Sequence, residues 1–256
     1  MKKLLMVLFL LVLCMPAFAE DIEITDPQEL FAIGDTYYKG DGVEQNYEEA
    51  LKYFRLAAEQ GHLPSINRLG VCYDNGRGVE QDPVKAVEYY TRAAQAGYDK
   101  SQYNLGLSFY LGEGVDQSFE EAYKWFSLAA QQDHPRAIDY IGVLYLYGEG
   151  VEKNVEESFK WFLRSAELGY AYGQYDAGWS YYMGEGVEQN YAEALKWFTL
   201  AAEQGNVYGQ YALGCYYYEG KAVEPDLAEA EKWFTLAAQQ GDEDAAKLLE
   251  EIRSAK

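Results

Sequence analysis

An all-α solenoid of paired helices is the fold this chain of 256 residues predicts, and three observations carry the prediction. Glycine returns at Gly34, Gly70, Gly106, Gly142, Gly178 and Gly214, a spacing of 36 residues held without a gap. Apolar residues between these marks follow the helical period, and a good helix N-cap recurs once per period. A lone pair of such helices cannot bury its apolar face, so each pair needs the next and the core grows with the number of repeats.

Taken in order, the chain opens with Lys2 and Lys3, an apolar run from Leu4 to Cys14, and Pro16 before Ala17-Phe18-Ala19. That is the pattern of a secretory signal peptide spanning residues 1–19, too short for a membrane span of about 20 apolar residues. The chain is therefore expected to be exported, periplasmic or secreted, with no membrane insertion after cleavage. Loss of Lys2 and Lys3 takes the net charge from −21 to −23. So large an acidic excess argues against nucleic acid and against anionic membrane surfaces, both of which need clustered Lys and Arg. A basic protein, a cationic peptide or a neutral ligand is left open.

Asp26-Pro27-Gln28-Glu29 starts the first helix, and six repeats are expected at about 26–61, 62–97, 98–133, 134–169, 170–205 and 206–241. In each first helix an aromatic follows the marker glycine by three positions: Tyr37, Tyr73, Phe109, Tyr145, Tyr181, Tyr217. Gly40, Gly76, Gly112, Gly148, Gly184 and Gly220 then predict helix ends with positive φ. Two residues on, glycine recurs five times, with Ala222 in the sixth place. The second helices begin at Asn46, Asp82, Ser118, Asn154, Asn190 and Asp226. Glutamate three residues later predicts capping boxes in all but the second, where Lys85 stands. Gly61, Gly97, Gly169, Gly205 and Gly241, with Asp133 once, close the second helices, and 242–254 reads as a polar capping helix.

The recurring pattern (Leu/Ile)-Gly-x-x-(Tyr/Phe)-x-x-Gly-x-Gly-Val, followed by Ala-x-x-(Trp/Tyr)-(Phe/Tyr)-x-x-Ala-Ala-x-x-Gly, resembles the Sel-one-like repeat, a relative of the tetratricopeptide repeat. The resemblance covers nearly the whole chain after residue 19. It implies a right-handed superhelix of antiparallel helix hairpins and a role in protein-protein interaction, often in the bacterial envelope. A cysteine-rich branch of the family, linked to β-lactam binding or hydrolysis, pairs two cysteines inside each repeat. Here Cys72 and Cys215 lie almost four repeats apart, so stacked helices about 8–10 Å from one another predict no disulfide between them.

Catalytic patterns are absent: the chain has no Ser-x-x-Lys, Gly-x-Ser-x-Gly or His-Glu-x-x-His. His62 and His134, two repeats apart, read as surface or turn residues without a second ligand at metal spacing. No cofactor and no metal is expected, and the chain is read as a non-enzyme. An envelope hydrolase and a secreted binder of host factors stand as alternatives.

Placed at 100° per residue, Gly173, Ala177, Gly178 and Tyr181 face the repeat's own core, while Tyr172, Tyr175, Trp179, Tyr182 and Met183 fall opposite. The sixth repeat offers Tyr208, Tyr211 and Tyr218, the third Tyr103 and Tyr110, and the first Phe31 and Tyr38. By the tetratricopeptide resemblance this face lines a concave groove. Aromatic side chains dominate protein-binding hot spots, so these ten residues of repeats three, five and six are the candidate protein or peptide site. Tyr175 and Tyr211 stay open between binding and packing against a neighbouring helix.

Overall fold

The computed structural model of the protein describes residues 25–221 and 223–254. The expected signal peptide and Ala222 lie outside the described residues. Within them the chain is thirteen α-helices and no strand. The first helices of the repeats are α1 (Pro27–Lys39), α3 (Leu63–Asn75), α5 (Asp99–Leu111), α7 (Pro135–Tyr147), α9 (Ala171–Met183) and α11 (Val207–Glu219). The second helices are α2 (Tyr47–Glu59), α4 (Pro83–Gln95), α6 (Phe119–Ala130), α8 (Val155–Glu167), α10 (Tyr191–Glu203) and α12 (Leu227–Gln239). Helix α13 (Glu243–Ser254) closes the stack, burying Ala245, Leu249 and Ile252 beside Phe234 and Ala237 of α12.

Each marker glycine receives the ring of its own repeat's second helix. A Cβ on Gly178 would fall 2.8 Å from Phe198 Cδ1, and Phe54, Tyr90, Phe126, Phe162 and Phe234 press on the equivalent glycines. These six rings are the centres of successive core layers, all buried. The first helices end as expected, with the Gly184 amide donating to the Ser180 carbonyl at φ +73°. The second turn glycine has a further duty. Gly78, Gly114, Gly150 and Gly186 lie against the first-turn backbone of the preceding repeat's second helix, where any Cβ would overlap it.

All six predicted N-caps accept a hydrogen bond from the amide three residues on, at 3.0–3.3 Å. The reciprocal half of the capping box is corrected by the structure. The N-cap amides of Asn46, Asp82, Ser118, Asn154, Asn190 and Asp226 donate instead to the carbonyls of Tyr37, Tyr73, Phe109, Tyr145, Tyr181 and Tyr217. With that amide taken, Glu49, Glu121, Glu157, Glu193 and Glu229 pair with the lysine three residues further along. Asn154→Ala is therefore expected to cost about 1 kcal/mol. Glu157→Gln, which breaks only an exposed ion pair, should cost below roughly 0.5 kcal/mol in urea unfolding.

Repeats join chiefly through the second helix of one and the first of the next. Consecutive first helices also meet directly, α7 with α9 and α9 with α11, to a degree that no two second helices reach. The first helices therefore line the tighter, inner side of the curve. No helix among the described residues is long and apolar enough to cross a membrane.

Candidate interaction surface

Two positions of each first helix, six before the marker glycine and five after it, stand furthest from the core, and in α9 the place one after it is exposed as well. In α9 they are Tyr172, Trp179 and Met183, each between 41 and 48% exposed. Tyr208 takes the first of these places in α11, 49% exposed, and Tyr218 of the same helix is also exposed. In the earlier repeats the three places hold mainly small, polar or charged residues: Gln28, Asp35 and Lys39, then Pro64, Val71 and Asn75.

The exposed rings of Tyr172, Trp179 and Tyr208 are joined by half-buried ones into a band, while Tyr218 stands apart on Phe234. Tyr172 meets Tyr170 at 5.5 Å and Tyr208 at 6.2 Å between ring centres, and Tyr175 meets Tyr208 at 5.5 Å and Trp179 at 6.3 Å. Trp179 in turn stacks on Tyr182 at 5.6 Å. Preformed aromatic surface of this kind offers area without a large ordering cost on binding. Burial, followed by the nearby Asp176 carboxylate, pushes the Tyr175 hydroxyl up to about 12, so it stays a neutral donor at physiological pH.

Not every predicted residue is free for a ligand. Tyr182 is held on several sides: its hydroxyl accepts from Lys221 Nζ, and its ring packs on Tyr191 and Tyr216. Tyr211 is half-buried against Phe234. Tyr110 is wedged edge-on between Phe119 and Tyr140. Tyr103 is buried, stacked on the His134 ring at 4.8 Å and tilted onto Phe126, and so is a packing residue rather than a contact residue. Both histidines are helix N-caps rather than plain surface residues: His134 Nδ1 accepts from the Ala137 amide, and His62 Nδ1 lies 2.8 Å from Ser65 Oγ. Burial lowers the pKa of each.

Sequence reasoning missed the contribution of repeat four. Tyr147, five positions after Gly142, is 66% exposed at the place that Met183 holds in α9. The same helix carries Asp139, 6% exposed, whose Oδ1 has no hydrogen-bond partner. Burial first, and then the Asp176 carboxylate of α9, hold Asp139 well above the usual carboxylate range. Burial pushes Asp176 itself up to about 7. The signal was the repeat register, since Asp139 occupies the place of Tyr103 and Tyr175.

Both cysteines are free, with thiols that burial raises to about 11, unreactive at neutral pH. No cluster of three metal-ligating side chains occurs among the described residues.

The Sel1 repeat profile matches the chain six times, at residues 30–62, 63–98, 99–134, 135–170, 171–206 and 207–242. The chain belongs to the Sel1-repeat family. Sel1 repeats generally mediate protein-protein interaction, and the fold is typically a non-enzymatic scaffold. A Sel1 repeat protein from Oxalobacter formigenes is 32% identical, with 86% of each chain covered and a TM-score of 0.76. The antigen c5321, a protective antigen present in uropathogenic Escherichia coli strains, displays the same repeat fold. It is 33% identical over 87% of this Sel1-repeat chain and 48% of its own, with a TM-score of 0.74, so the chain spans about half the length of c5321. Immunity protein Pa5087 of Pseudomonas aeruginosa shares the fold at 22% identity, 88% and 84% coverage and a TM-score of 0.57. No curated protein matches the chain.

Proposed function

We propose that this Sel1-repeat protein is a non-enzymatic interaction scaffold of the bacterial envelope that holds a protein segment along the first-helix face of repeats four to six. The observation that carries this reading is the exposed aromatic band of Tyr172, Trp179 and Tyr208, flanked by the exposed Met183 and Tyr218, which the repeat itself does not require. Its ring faces supply area and its hydroxyls supply hydrogen bonds, the mixture found at interface hot spots. An overall charge of −21 favours a basic partner. The leader-like residues 1–19 support export, as does similarity to a protein described as a protective antigen.

Replacing Trp179 and Tyr208 together by alanine tests the band. Binding of a captured partner should weaken by at least 10-fold, as hot-spot truncations do. The melting temperature should hardly change, because neither side chain belongs to the buried core. A photoreactive residue at position 183, irradiated in living cells, should cross-link one envelope protein reproducibly. Unchanged affinity in the double variant would sink the assignment of this face. Fractionation tests the location: the processed chain should be found in the periplasm, and its recovery from the culture medium would point to secretion instead.

A further inference from the structure

One register recurs between consecutive first helices, three positions before the marker glycine in one repeat and two positions before it in the next. From the N-terminus it pairs Phe31 with Arg68, Asn67 with Asn104, Tyr103 with Tyr140, Asp139 with Asp176, and Tyr175 with Ala212. The first three pairs satisfy themselves. The Arg68 guanidinium lies 6.0 Å from the Phe31 ring centre, Asn104 Nδ2 donates to Asn67 Oδ1 at 2.9 Å, and the Tyr103 and Tyr140 rings pack at 6.0 Å. Once both are ionised, two carboxylates have only acceptors to offer each other. Asp139 Oδ1 accordingly lies buried between α7 and α9 with no donor. A basic side chain on the same helix does not fill the need, since Arg136 lies over the Tyr170 ring at 5.8 Å. Ser165 Oγ, beside Asp139, donates to the Pro135 carbonyl at 2.9 Å.

We propose that the Asp139 and Asp176 pair is the recognition point for one arginine side chain of the protein segment bound along the aromatic band. This rests on the scaffold reading above and names the chemistry of its partner. A guanidinium brings five donors in a planar fork, enough for two carboxylates, and its flat faces stack on tyrosine. The surroundings suit it. Tyr103 and Arg136 and Tyr140 of the two preceding first helices, Tyr170 before α9, Tyr175 within it and Tyr208 of α11 border the pair or its neighbours. Arg136 is the one cation among them, and the incoming arginine would add a second positive charge opposite two negative ones.

The test uses two acetylated and amidated five-residue peptides, each with tyrosine on both sides of a central residue, arginine in one and citrulline in the other. Citrulline keeps the shape and removes the charge. Wild-type protein at pH 8 should bind the arginine peptide at least 10-fold tighter than the citrulline peptide. In the variant carrying Asp139→Asn and Asp176→Asn the ratio should fall to about 1, with a melting temperature no lower than wild type. A control carrying Glu48→Gln and Glu120→Gln, which removes two remote acids, should keep the wild-type ratio. Because protonated carboxyls offer no charge to a guanidinium, the ratio should also shrink as the pH is lowered from 8 to 5. Arginine preference that survives in the Asn variant overturns the proposal. Equal binding of both peptides, weakened by Trp179→Ala, overturns it while leaving the aromatic band intact as a site. Failure of both peptides to bind at millimolar concentration overturns both readings.

Discussion

Replacing Gly186 by alanine is expected to destabilise the protein by about 2–4 kcal/mol. Two costs combine. The residue sits at φ +73°, where a Cβ costs about 1 kcal/mol, and the new methyl would overlap the carbonyl oxygen of Val155, a backbone atom with no rotamer to escape into. Gly205→Ala separates the two costs. At φ +84° it carries the same conformational penalty, but nothing lies within 4 Å of its would-be Cβ, so its cost should stop at about 1 kcal/mol. Val155 belongs to repeat four and Gly186 to repeat five, so the Gly186 damage is done to an interface. In a solenoid whose stability is a sum over neighbours, weakening one interface should split urea unfolding into two steps, with repeats five and six melting apart from one to four. Equal losses from the two variants would refute the inter-repeat role of the second turn glycine.

The second large effect concerns the acid pair. Folded-state pKa values of Asp139 and Asp176 lie above the unfolded value of about 3.9, so between there and about 7 the folded chain binds more protons than the unfolded one. Stability from this pair is fully present below about pH 4 and is lost as the pH rises through the folded values. Each pH unit by which folding raises a carboxyl pKa is worth about 1.36 kcal/mol, so the shift of Asp176 alone to about 7 corresponds to about 4 kcal/mol before its partial exposure is discounted, and the loss by pH 8 is on the order of a few kcal/mol. Changing both residues to asparagine should therefore stabilise the protein by about that amount at pH 8 and by nearly nothing at pH 4. The chain already contains the replacement, since Asn67 and Asn104 occupy the same register with a 2.9 Å hydrogen bond. Chemical denaturation at several pH values measures the difference; a double variant less stable than wild type at pH 8 would contradict the account.

The features of the fold that are legible in the sequence are those the chain states six times. The marker glycines, the N-cap residues and the left-handed residue at Asp133 all behave as the period requires. Where a residue has two available partners, periodicity alone does not choose between them. Glu157 could have bonded back to the Asn154 amide, but that amide reaches the Tyr145 carbonyl nine residues earlier, a contact created only when the two helices fold together. Tyr182 reads as a free aromatic because its angular position faces away from Gly178, yet Lys221, 39 residues on, reaches across from the next repeat to bond its hydroxyl. The acid pair escapes a reading of one repeat at a time for a related reason. Asp139 and Asp176 come from different repeats at different positions, so no single copy of the pattern displays them together.

The outward positions of the first helices have a consequence for how such a protein can change. Core residues, caps and turn glycines occupy one set of places, and Tyr172, Trp179 and Met183 occupy another. Under the proposed scaffold reading, recognition is thus written on sites that the architecture leaves largely unassigned. Rewriting the exposed Lys100 and Leu111 of α5 as tyrosine and methionine should move part of that surface two repeats along the same scaffold, while Leu107, which packs on the core, is left in place. A solenoid built this way can acquire a new partner by spelling rather than by refolding.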